Sequence, residues 1–123
     1  MGTPTEPLVY CLTRDHDLAA ALDARLTGAL VFFYNDAARL HQAIVLRAPD
    51  LVVIDTGAVR AEYGDAGLGP VVAFVRERAA EARIAVRPGP GAEWLVGAEA
   101  GVGVVILPVA VDACGEAMAA LTA

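Results

Sequence analysis

Five short apolar runs punctuate the chain, each followed by a segment whose apolar residues recur at helical spacing. This alternation predicts a parallel β-sheet wrapped by crossover helices. The first run is Leu8 to Leu12; behind it Asp15 and Asp17 place negative charge at a helix start, and Leu18, Leu22 and Leu26 form one stripe closed by Gly28. Ala29 to Tyr34 is the second run, with Asn35 as N-cap of a helix carrying Ala37, Leu40 and Ile44, and Pro49 ends this unit. Phe32-Phe33-Tyr34 reads as core on one face and helix contact on the other.

Leu51 to Ile54 is continuously apolar, as suits a central strand buried on both faces, and Asp55 stands at its exit. A glycine-rich loop from Thr56 to Gly69 is expected next. A helix then starts with Pro70 in its first position and Val71, Phe74 and Val75 on its inner face. Ile84 to Val86 forms the fourth strand, Arg87 to Gly91 a loop, and Trp94, Leu95 and Ala98 a short helix stopped by Gly101. Val102 to Leu107 is the fifth strand. Asp112 caps a last helix with Ala113, Ala117, Met118 and Leu121 on its apolar side and Gly115 as a weak point.

A chain of 123 residues gives one domain and one core, residues 1–123, with Met1 to Pro7 as a flexible tail. The tail lacks the basic and apolar regions of a secretory signal, and no apolar run approaches the ~20 residues of a membrane span, so a soluble, cytoplasmic protein is expected. Fifteen acidic residues face nine basic ones, all arginine, for a net charge of -6, and the absence of a basic run argues against direct nucleic-acid binding. Cys11 and Cys114 read as reduced core thiols. With His16 and His41 far from zinc-ligand spacing, no metal or cofactor is expected. Neither a phosphate loop nor a Ser, Cys or His constellation for hydrolysis occurs, and no enzymatic activity is expected.

Two local strings add a resemblance. Pro49-Asp50-Leu51-Val52-Val53-Ile54-Asp55 and Gly97-Ala98-Glu99-Ala100-Gly101-Val102, about fifty residues apart, resemble the receiver domain of bacterial two-component response regulators. The resemblance implies a flavodoxin-like, doubly wound five-stranded parallel sheet of order 2-1-3-4-5. Asp55 would lie in the crevice at the strand exits as the equivalent of the phosphoacceptor.

The rest of the family's reaction centre is replaced. Its magnesium-binding acidic pair falls on Thr13 and Arg14, with Asp15 the nearest carboxylate. Its switch hydroxyl falls on Arg87, its switch aromatic on Val105, and its lysine on Leu107 or Pro108; the chain contains no lysine. The pattern is that of an atypical pseudo-receiver without the magnesium-dependent aspartyl phosphorylation. Arg14, Arg87 or both are expected to pair with Asp55 in place of magnesium and lysine, as a partly exposed ion pair contributing about 1 kcal/mol.

The implied function is signal transduction or transcriptional regulation through a protein partner or homodimer. The fourth and fifth expected helices and strand five would present Trp94, Val96, Glu99, Val109 and Val111, although packing against the sheet is the plainer role for Trp94. Two alternatives remain: a small-molecule sensor binding an anionic or polar ligand between Arg14, Asp55 and Arg87, and a phosphoacceptor with an unusual site.

Overall fold

A continuously apolar strand gains most when both of its faces are covered, and the sheet gives that place to two of its strands. The computed structural model describes residues 6–64, 67–89 and 103–122. Within it β1 (Leu8–Leu12) and β3 (Leu51–Asp55) are buried at every position. They lie side by side in an all-parallel sheet completed by β2 (Leu30–Tyr34), β4 (Arg83–Arg87) and β5 (Val104–Ile106), in the order β2-β1-β3-β4-β5. Fold class and strand order are those expected.

Five helices are described. α1 (His16–Arg25) and α5 (Val111–Thr122) cover one face, where Val9, Cys11, Val53 and Ala85 meet Leu18, Leu22, Cys114 and Met118. α2 (Ala37–Leu46), α3 (Thr56–Tyr63) and α4 (Leu68–Arg78) cover the other, where Tyr10, Val52 and Ile54 meet Leu40, Val59 and Val75. Each fully buried Leu or Val contributes about 1.5–3 kcal/mol relative to exposure, so these two layers hold the sheet. Tyr10 is fixed by its hydroxyl, which donates to the Arg47 carbonyl at 2.9 Å at the end of α2. No described helix is long and apolar enough to cross a membrane.

Several expectations are corrected. The N-cap of α2 is Asp36, whose carboxylate accepts the Arg39 amide at 2.8 Å, and not Asn35. An anion gains more than an amide at a helix N-terminus, and the Asn35 carbonyl is taken by Arg14. α1 ends at its C-cap Leu26, short of Gly28.

The expected loop after β3 is largely helical. Asp55 caps α3 directly from the strand end, Ala58 and Val59 bury against the sheet, and Gly64 ends the helix at φ 77°. Pro70 is the third residue of α4 rather than the first; this is tolerated because the first-turn amides have no partner inside the helix. β2 is an edge strand with Phe32 half exposed, and β5 shrinks to three residues. On α5 the buried side is Cys114, Gly115 and Met118, while Ala113, Ala117 and Leu121 are only half-buried. Pro7, assigned to the tail, is tied to the sheet through its carbonyl, which accepts the Leu30 amide at 2.9 Å.

Candidate functional site

Register builds the site. Asp55 is the Cα partner of Arg87 across β3 and β4, and Leu12 is the partner of Ile54 across β1 and β3, so Thr13 follows Leu12 beside Asp55. Alternation along the strands puts Thr13, Asp55 and Arg87 in one row on the α1/α5 face, above the small row Cys11, Val53 and Ala85.

Both Asp55 oxygens are engaged. Oδ2 accepts the Thr13 hydroxyl at 2.8 Å and Arg87 Nη1 at 3.2 Å, while Oδ1 accepts the Gly57 amide at 3.1 Å. Gly89 seals the far side: a Cβ there would lie 2.8 Å from Asp55 Oδ1 and 2.9 Å from the Gly57 amide nitrogen. Glycine is required by this close approach, and Thr56 fixes it, since its hydroxyl accepts the Gly89 amide at 2.8 Å.

Arg87 is the centre of the arrangement and is only 2% exposed. Its Nη1 bridges two carboxylates, Asp15 Oδ2 at 3.1 Å and Asp55 Oδ2 at 3.2 Å. Its Nε and Nη2 donate to the Val109 carbonyl at 2.9 and 2.6 Å. One guanidinium thus joins the turn after β1, the end of β3 and the segment leading into α5. A buried guanidinium is tolerated only when it is well bonded, and here four bonds engage all three of its nitrogens.

Asp15 has two tasks. Oδ1 caps α1 by accepting the Asp17 and Leu18 amides at 3.0 and 3.1 Å, and Oδ2 faces Arg87. Burial acts to raise its pKa, but the Leu18 amide, the Arg87 guanidinium and the Asp17 amide outweigh it and hold the carboxyl below the usual carboxylate range. The Thr13 hydroxyl also accepts the Asp15 amide at 3.0 Å, which locks the turn to Asp55.

The expected site residues therefore separate. Arg87, Asp15 and Thr13 converge on Asp55, whereas Arg14 is exposed and turns to β2, donating from Nε to the Asn35 carbonyl at 2.9 Å. The Asp55–Arg87 pair is buried rather than partly exposed. Leu107 is buried in the α1/α5 layer, Pro108 is exposed, and Val105 is 38% exposed on β5. Val109 and Val111 are half-buried, and Trp94, Val96 and Glu99 lie outside the described residues, as does the second resembling string.

Sequence reasoning missed Gly89, Thr56 and the Val109 carbonyl. Only Gly89 left a signal, as the glycine two residues past Arg87. Cys11, beneath the network, has its thiol pKa pushed far up by burial first and then by Asp55 and Cys114, against a smaller pull from Arg87, so it is not a nucleophile. Among the described residues no group of three or more His, Cys, Asp or Glu is placed to hold a metal ion. No family model matches the chain and no curated protein matches it, so the chemistry of the site rests on its own geometry.

Proposed function

We propose that the chain is a phosphorylation-independent, receiver-like regulatory domain that acts through protein contacts. The observation carrying this reading is the Arg87 guanidinium between the Asp15 and Asp55 carboxylates, at 3.1 and 3.2 Å. A receiver neutralises its carboxylates with a divalent cation and a lysine, both of which must admit a phosphoryl group. Here a fixed organic cation does the neutralising and cannot leave.

Phosphoryl transfer also needs an unencumbered carboxylate oxygen with room for in-line approach. Asp55 is 2% exposed, with Oδ2 accepting two hydrogen bonds and Oδ1 covered by Gly57 and Gly89. Both features favour a static centre over a phosphoacceptor. The same guanidinium holds Val109, which ties the crevice to the segment entering α5 and so to the surface assigned to partners or to a second copy.

The test is an amide NMR titration with magnesium and beryllofluoride, accompanied by radiolabelled acetyl phosphate. The expected outcome is no saturable shift around Asp55 and no stable label. Saturable shifts centred on residues 13–15, 55 and 87, or a label abolished by Asp55→Asn, would overturn the reading.

A further inference from the structure

Next to the sealed network, sharing Thr13 and Asp15 with it, a cavity of about 370 Å³ opens at the carboxyl ends of β1 and β2. Its walls include Arg14, His16, Ala19, Phe33, Tyr34 and Arg39, and this volume falls in the range of small-ligand pockets. In an open parallel sheet the strand exits are where ligands are held. The Arg14, His16 and Arg39 side chains come from three segments: the turn after β1, the start of α1 and the first turn of α2.

The two guanidiniums are available. Arg14 spends one hydrogen bond on the Asn35 carbonyl at 2.9 Å, which orients its fork, and among the described residues its Nη groups have no partner. Arg39 has a single ion contact, Nε to Asp36 Oδ2 at 3.4 Å, with its side chain 74% exposed. The carboxylate lining the cavity, Asp15, turns its Oδ2 to Arg87 at 3.1 Å and its Oδ1 to the Asp17 and Leu18 amides. Among the lining side chains the hydrogen-bond donors facing the cavity therefore include those of Arg14, Arg39 and His16, on a protein whose net charge is -6.

We infer that this cavity binds a small organic phosphate monoester. Its dianionic head would lie between Arg14 and Arg39 with His16 beside them, and its apolar body on Phe33, Ala19 and Tyr34. A guanidinium fork fits carboxylate and phosphate alike, but a phosphate offers three outward oxygens to donors arriving from three directions, whereas a carboxylate offers two in one plane; three converging side chains suit the former. The site uses side chains other than Arg87 and Asp55, so it stands or falls separately from the regulatory reading above.

The experiment is an amide NMR titration of the full chain in phosphate-free, low-salt buffer with phenyl phosphate, inorganic phosphate and benzoate. Phenyl phosphate should give saturable shifts confined to residues 13–19 and 33–39, and bind several-fold more tightly than either other probe. Arg14→Ala and Arg39→Ala should each weaken it about tenfold, the loss expected for one charge-assisted contact. Both arginines are exposed, so the variants should keep the parent spectrum elsewhere. Absence of saturation, affinity unchanged in the double variant, or benzoate binding as well as phenyl phosphate would overturn the proposal.

Discussion

Arg87 is the residue on which the site depends, because its removal leaves a buried carboxylate without a countercharge. Arg87→Ala should lower the unfolding free energy by about 3–5 kcal/mol in urea titration, the usual cost of breaking a buried pair from one side. Asp55→Asn should cost less, about 1–3 kcal/mol, since Arg87 keeps Asp15 and Val109. The reverse order would mean that the guanidinium is not the strut. Two groups set the pH response. His41 is stacked on Phe74 at 3.8 Å with Nε2 buried and unbonded, and burial lowers its pKa against a smaller opposing pull from Glu62. The unfolded chain then binds the His41 proton more readily, so stability falls as pH drops below about 6.5. Asp15 acts in the same direction at lower pH: its folded pKa is depressed, and its contribution, present above the ordinary carboxylate range, is lost as pH falls through the folded value. Denaturation midpoints measured from pH 8 to 2 should show both losses, the second below about pH 4, and His41→Phe should erase the first.

Gly115 carries the lesson at the scale of an element. A glycine inside α5 costs about 1 kcal/mol relative to alanine, and the nearest atoms to a Cβ there would all belong to the Arg25 side chain, with Cδ at 2.7 Å. Arg25 lies across α5 to reach Asp112 at 4.0 Å and Glu116 at 3.9 Å, through carboxylates that are 91% and 73% exposed. Such surface pairs contribute little, and the end of an arginine can move. Gly115→Ala should therefore stabilise the protein by about 0.5–1 kcal/mol in thermal melts, from helix propensity that the packing does not need. Gly67 is the opposite case, because a Cβ there would lie 2.6 Å from Tyr63 Cβ, where no flexible side-chain end can yield. The sequence reads Gly115 as a helix-weakening glycine and Gly67 as part of a loop; only the neighbouring helix decides which of them tolerates a side chain.

At the scale of the whole molecule the order β2-β1-β3-β4-β5 sets a gradient of stability from the centre to the β2 edge. The Leu30 amide and the Tyr34 carbonyl bond toward β1, so alternation turns the Val31 and Phe33 backbone groups outward. Amide hydrogen exchange should be slowest in β1 and β3 and much faster at Val31 and Phe33. The sequence by itself determined the alternation of elements, β1 to the residue, the burial of Leu51 to Ile54 and the placing of Asp55 at a strand exit, because period and apolar runs are local properties of the chain. That the chain holds no lysine was equally legible, since residue identity needs no coordinates. Which arginine faces Asp55, by contrast, was settled by packing and register. Arg14 and Arg87 have the same chemistry at two strand exits, and parallel register sets Arg87 opposite Asp55 while the turn after β1 swings Arg14 toward Asn35. Helix α3, hidden among glycines, and the cap at Asp36 were decided there too, because a cap depends on which carboxylate reaches a free amide, a matter of distance rather than composition.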